Sequence, residues 1–261
     1  MNLIHYLLIF VVGLSIGSFL NCALYRFKIK KPVTGSSFCP HCKHDLSAFD
    51  LIPLFSFLTL GGKCRYCGQK ISWQYPIVEF LTGIIFLQSF IFLSPKSSID
   101  YLLLTLVLIC FSLLVFIFVY DLKYFIIPNE IIYPAIGTAL LWVGLRSFLE
   151  SDFSILTNHL SAGFSVFAFF FLIFWLSRGK GIGFGDVRYA LFLGFFLGFP
   201  DSLVALFFSF TIGAVVGLFF ILTKKKSRKD MLPFAPFLVI GTYLAFFYGR
   251  EIINWYLNFY L

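Results

Sequence analysis

Long apolar runs alternate along the chain with short polar breaks. Runs rich in Phe, Leu, Ile and Val occupy 3–25, 76–93, 100–120, 128–149, 158–177, 186–198, 202–222 and 233–256. Most approach the roughly 20 residues that a helix needs to cross a bilayer core, so the pattern predicts about eight membrane spans. The run at 186–198 is the shortest. The breaks carry turn chemistry, in "SPKSS" at 94–98, "ESDFS" at 150–154, "GFPDS" at 198–202 and "TKKKSRKD" at 223–230. The first run, Leu3 to Leu24, lacks a basic leader and is longer than the apolar core of a signal peptide, so it reads as a retained span.

Composition agrees with the pattern. Of 261 residues, 60% are hydrophobic and 12% charged, with a mean hydropathy of +0.94. A soluble domain carries about 25% charged residues, so a soluble globular enzyme is excluded. The expected class is an all-α integral membrane protein, a polytopic helical bundle with one small polar loop region.

The net charge of +8 raises the question of nucleic acid. Its distribution answers the question. All of the 20 Lys and Arg except Lys96, Arg146 and Arg250 fall in 26–75, 121–127, 178–188 and 223–230. Those segments lie on one side of the expected layout, and basic residues flank spans on the cytoplasmic side. Orientation accounts for the charge, and no nucleic-acid role is expected. Both termini are then expected outside.

Residues 26–75 are too few for a good core of their own. "CPHC" at 39–42 and "CRYC" at 64–67 supply a staple. A CxxC turn places two thiolates on one side of a tight loop, and two such turns complete a tetrahedral site. Cys39, Cys42, Cys64 and Cys67 are the expected ligands of a structural Zn2+, with His41 and His44 close enough to stand in for a cysteine. Four protein ligands leave no position for a catalytic water. Disulfides are the second reading, at odds with a reducing cytoplasmic loop, and a redox dithiol is the third. Cys22 and Cys110 lie in apolar runs and read as small buried residues.

Two carboxylates remain at the same expected membrane face. Asp121 follows "LLVFIFVY", and Asp186 follows "GKGIGFG". A carboxylate near hydrocarbon costs about 2.5–3.5 kcal/mol at mid-helix on insertion scales. A same-side pair is what aspartyl proteolysis requires, one carboxylate ionised and one protonated. Gly179, Gly181, Gly183 and Gly185 clear side chains from the approach to Asp186. The other reading makes Asp186 a helix cap and Asp121 an ordinary interfacial residue beside Lys123.

Five motifs in order resemble the type IV prepilin peptidases, a family of membrane aspartic proteases. They are "GSFLNCALYR" at 17–26, the cysteine segment at 38–80, "DLKYFIIPNE" at 121–130, "GIGFGDVR" at 181–188 and "PFAPFL" at 233–238. The resemblance covers nearly the whole chain. It implies that Asp121 and Asp186 are the catalytic pair and that Gly183 and Gly185 shape the loop. It also implies prepilin or pseudopilin substrates, whose basic leader is cut from an apolar helix, usually after Gly, at the cytoplasmic face of the bacterial inner membrane. Many relatives with the four cysteines methylate the new N-terminus using S-adenosylmethionine. No residue here is assigned to that step, and Glu79 in "YPIVEF" is the acidic residue to examine first, its other reading a paired interfacial carboxylate. Asn21 and Arg26 read as a contact between spans and a cytoplasmic anchor. Ala235 departs from the family's usual Gly and Arg188 from its usual Lys, and 27–37 is looser than the family segment.

The expected division is 1–25 as the first span, 26–75 as the zinc-binding segment and 76–261 as the peptidase domain. Two rival classes read the same residues differently. One is a membrane thiol oxidoreductase using the CxxC pairs. The other is a non-enzymatic transporter or assembly component.

Overall fold

A computed structural model describes residues 3–223 and 232–260. The basic run from Lys224 to Asp230, used above for orientation, lies outside the described residues. Nine α-helices follow in order: α1 Leu3–Lys28, α2 Phe55–Thr59, α3 Gln74–Leu93, α4 Ser98–Tyr124, α5 Asn129–Leu149, α6 Phe153–Leu176, α7 Phe184–Leu197, α8 Asp201–Leu222 and α9 Ala235–Tyr260. The described residues hold no strand, only two isolated bridges.

Seven of these helices are long and apolar enough to cross a membrane. The remaining expected span, sixth in order, is α7, with 14 residues. At 1.5 Å per residue it is about 21 Å long, short of the roughly 30 Å hydrocarbon core. Val187, Tyr189, Ala190 and the whole run Phe192–Leu197 are buried, so α7 is covered by protein rather than lipid.

Two helix ends differ from expectation. Asp121 does not follow its helix. α4 continues through it to Tyr124, and Phe125 then turns with φ of 58°. The break at 150–154 is shorter than read, because the Asp152 carboxylate accepts from the Ser154 N–H at 2.8 Å and starts α6 at Phe153.

The chain forms two compact units, the first ending at Leu104 and the second beginning at Thr105. In the first, α1 packs on α3 through glycines. A Cβ on Gly17 would lie 2.7 Å from Glu79 Cα, and one on Gly13 would lie 2.8 Å from Gly83 Cα. Small residues let the two backbones touch, the usual basis of close packing where no hydrophobic drive separates helix from lipid.

In the second unit, α7 is bordered by α5, α6 and α9. Gly194 of α7 meets the backbone of Gly163 on α6, and Gly241 of α9 meets Ala205 and Ser209 on α8. Aromatic side chains fill the interior. Phe196 stacks on Phe246 at 5.0 Å between ring centroids, and Phe111 stacks on Phe247 at 5.5 Å. A hydrogen bond of 3.0 Å between the Tyr189 and Thr242 hydroxyls ties α7 to α9 in the middle of this packing.

Candidate active site and metal centre

The four cysteines come together in the first unit, on two turns built alike. In the first turn the Cys39 N–H donates to the His44 carbonyl at 2.9 Å, and the Lys43 N–H donates to the Cys39 carbonyl at 2.9 Å. In the second, the Cys64 N–H donates to the Gln69 carbonyl at 2.8 Å, and the Gly68 N–H donates to the Cys64 carbonyl at 2.9 Å. Each turn closes with a bridge, Phe38 to Asp45 and Lys63 to Lys70. The residue after each second cysteine is left-handed, Lys43 at φ 61° and Gly68 at φ 71°. All four sulfurs lie within 4.8 Å of one another, and Cys39 Sγ is 3.9 Å from Cys67 Sγ. A tetrahedron with Zn–S bonds of about 2.3 Å has edges of about 3.8 Å, so the four thiols fit a closed metal site.

The neighbouring histidines do not join the cluster. His44 stacks on Tyr66 at 3.7 Å, and its Nδ1 lies 2.6 Å from the Asp45 carbonyl. Asp50 binds the second turn to the preceding 3-10 turn at Ala48–Leu51. Its carboxylate accepts from Arg65 Nε at 2.8 Å, Tyr66 Oη at 3.1 Å and Ser47 Oγ at 2.9 Å. Burial opposes its ionisation, yet the Arg65 guanidinium with the Ser47 and Tyr66 donors holds its carboxyl down at about 2.

The polar residues of "GSFLNCALYR" have distinct partners. Asn21 donates to the Tyr75 carbonyl at 3.1 Å and accepts from Gln74 Nε2 at 3.0 Å, which makes it a contact between α1 and α3. Arg26 is buried. The carbonyls of Pro32, Val33, Thr34, Gly35 and Ser36 wrap its guanidinium. Glu79 is 6% exposed and accepts from the Leu54 N–H at 2.9 Å and from the Ser18 hydroxyl. Among the described residues no Lys, Arg or His forms an ion pair with it.

The second unit gathers the two aspartates. Asp121 is 5% exposed near the end of α4, and the N–H of Ala235, the first residue of α9, donates to its carboxylate. Asp186 is half-buried in the first turn of α7, and its Oδ2 accepts from the Gly183 N–H at 3.2 Å. The cap reading of Asp186 therefore describes a real contact, and the residue lies near a second carboxylate as well. The charge of Asp121 is felt at Asp186, far away in sequence.

Gly183 and Gly185 differ in what surrounds them. A Cβ on Gly185 would lie 3.1 Å from the Ile127 Cβ, whereas one on Gly183 would meet only the Asp186 carboxylate at 3.4 Å and neighbouring backbone. Arg188 donates to Asn129 Oδ1 at the start of α5, and its guanidinium lies 4.6 Å from the Phe184 ring centroid and 5.7 Å from that of Tyr133. Its Nε is buried without a hydrogen-bond partner.

Ala235, Ile127 and Asn129 were not expected among the residues that frame the aspartates. Ala235 lay inside a recognised motif, but nothing in spacing announces a backbone donor aimed at Asp121.

Residues 11–93 match the Bacterial Peptidase A24 N-terminal domain, and residues 106–218 match the Type IV leader peptidase family. The chain is 31% identical over 288 residues to the prepilin leader peptidase/N-methyltransferase of Aeromonas hydrophila, covering 99% of this chain and 96% of that one. To the protein of the same name in Bacillus subtilis it is 33% identical over 255 residues, covering 96% and 97%. To that of Legionella pneumophila it is 30% identical over 285 residues, covering 98% and 96%. No solved structure matches. With such identity along almost its entire length, and with the cysteines in one matched region and both aspartates in the other, the chain belongs to the type IV leader peptidase family.

Proposed function

We propose that this protein is a membrane-embedded aspartic endopeptidase that removes the basic leader of type IV prepilins or pseudopilins at the cytoplasmic face of the inner membrane, and that it methylates the new N-terminus. One observation carries the first activity: Asp121 and Asp186 converge in one unit, each held by a backbone N–H. In this reading the ionised carboxylate takes a proton from water while the protonated one gives its proton to the scissile carbonyl oxygen. The water oxygen bonds to the carbonyl carbon. Collapse then breaks the C–N bond, one carboxyl proton going to the leaving amine while a hydroxyl proton of the intermediate returns to the other carboxylate. The pair shares one proton because two adjacent like charges ionise with difficulty. The N–H groups of Ala235 and Gly183 fix where the carboxylates point, and hydrogen bonds to charged groups contribute about 1.5–3 kcal/mol each.

In this proposal Zn2+ is held by Cys39, Cys42, Cys64 and Cys67 and shapes the loop without touching the reaction. The names of the relatives and the buried Glu79 support the second activity, for which S-adenosylmethionine is the methyl donor. The bilayer holds the apolar helix of the substrate. In the order of the chain, the first span at 1–25 and the zinc segment at 26–75 precede the peptidase at 76–261.

The test is cleavage of a prepilin-like peptide, with basic leader and apolar helix, by purified protein in detergent or lipid. Wild type yields the two product masses. Asp121→Asn and Asp186→Asn each lose cleavage while keeping their zinc. Equal cleavage by wild type and Asp186→Asn reduces that residue to a helix cap and removes the mechanism. Activity that survives both substitutions but disappears with the cysteines favours a thiol oxidoreductase.

A further inference from the structure

Glu79 has an arrangement that helix packing alone does not require. Its carboxylate lies between α1 and α3, with Ser18 on one side and the Leu54 N–H on the other. Gly17 brings the α1 backbone against it, so the site is narrow. Leu54 adopts φ of 61°, a conformation rare for a residue with a side chain, and in doing so aims its N–H at the carboxylate. The polar groups nearby are engaged elsewhere or neutral. Arg26 is enclosed by five loop carbonyls, Asn21 binds Gln74 and Tyr75, and Gln74 Oε1 is buried with no partner. Tyr75, one turn before it on α3, interacts with Glu79 and with Cys22, Tyr25 and Cys39, and none of these groups carries a positive charge. A buried carboxylate with two donors and no cation lacks a countercharge.

The surroundings suggest what supplies that charge. Phe49, Ile52, Phe55, Leu58 and Trp73 are exposed on the loop beside Leu54 and at the start of α3. Four of them flank Leu54, whose N–H binds the Glu79 carboxyl group, and Trp73 precedes the helix that carries Glu79. A ligand that fits both these side chains and the carboxyl group is an apolar segment whose first atom is a primary ammonium. Leader removal creates such an end.

We infer that Glu79 receives the newly freed α-ammonium group of the processed pilin and takes one proton from it. Its chemical purpose rests on the methyltransferase activity proposed above. An ammonium nitrogen has no lone pair, so methylation requires that a proton leave first. The proton moves to Glu79, and the lone pair left behind forms the new N–CH3 bond. S-adenosylmethionine supplies that methyl group, its carbon–sulfur electron pair remaining on sulfur.

The experiment uses the full-length protein and needs no methyl donor. Binding of a peptide matching the mature pilin N-terminus is compared with binding of its N-acetylated twin. The wild type prefers the free amine by about tenfold or more, Glu79→Gln loses that preference, and Glu79→Asp keeps part of it. Zinc content and leader cleavage confirm that each variant is folded. Equal affinity of the wild type for both peptides overturns the inference without any variant. So does a folded Glu79→Gln protein that still prefers the amine. Methylation is then assayed separately. A wild type that prefers the amine yet transfers no methyl group refutes the second activity but leaves the ammonium site. A wild type that methylates without preferring the amine removes Glu79 alone.

A second readout separates proton transfer from a structural defect. The free α-amino group has a pKa of about 7.7–8.0, so methylation by Glu79→Gln should rise up to tenfold per pH unit below that range. A uniformly low rate at every pH instead makes Glu79 structural and overturns the proton-transfer role.

Discussion

Ile127 packs on the Cα of Gly185, with so little space that a methyl group there would lie 3.1 Å from its Cβ. The segment after the first aspartate is thus seated on the backbone just before the second. Gly185→Val should cut leader cleavage by about 100-fold, since overpacking of a filled site costs about 1–3 kcal/mol and moves the groups around it. Gly185→Ala should lose less, and Ile127→Gly, which removes the Cβ itself, should restore most of that smaller loss. Rates for the two single variants and the double variant check this. Absence of rescue would show that Gly185 matters for something other than this contact.

Ala235 permits a test of a single hydrogen bond. As the first residue of α9 it stands where proline is well tolerated, because the N–H there is not used within the helix. Ala235→Pro should therefore keep the helix but remove the donor to Asp121. With a bond to a charged group contributing about 1.5–3 kcal/mol, cleavage should fall by about 10- to 100-fold. Ala235→Gly, which keeps the N–H, should remain near wild type. Expression level and thermal unfolding distinguish a lost donor from a lost helix.

Arg188 and Asn129 join α7 to the start of α5. Truncation of either to Ala should lower cleavage by about tenfold, and the double variant should be little worse, because residues that act as a unit do not add. Arg188→Lys should retain part of the activity through its charge and lose the fork geometry. Additive losses would mean that the two residues act independently.

Removal of metal tests the loop. One zinc per chain is expected by elemental analysis. Cys64→Ser should release it and make residues 38–70 sensitive to protease, since a structural zinc site contributes folding energy directly. Peptidase activity of the aspartate pair should suffer less than loop integrity. A protein that keeps its resistance to protease without metal would remove the staple.

The spans were legible because each apolar run is long enough to need a bilayer or a core, and every expected run became a helix. Their ends were less so. Asp121 was placed after its span because charge stops a hydropathy window, but it does not stop an α-helix, and α4 continues to Tyr124. The cysteine turns were legible from spacing, whereas the exclusion of His44 was not, since it depends on Tyr66 offering a ring to stack on. Arg26 read as a structural anchor, but sequence does not reveal the five carbonyls that fold back around it. Glu79 stood out as a carboxylate at the start of a span, but its partner Leu54 depends on a loop conformation that no apolar pattern encodes.

The short helix α7 bears on how the protein is made. A helix of 14 residues cannot settle across a bilayer by itself, and here it is covered by neighbours on both sides of it in the chain. α6 is synthesised before it and α9 after it. The ribosome has therefore made α8 and reached α9 before α7 has its full surroundings, and Ala235 arrives on α9 to donate to Asp121. A nascent chain that has not reached α9 holds two aspartates without their final frame, so the site matures only once Ala235 has been made.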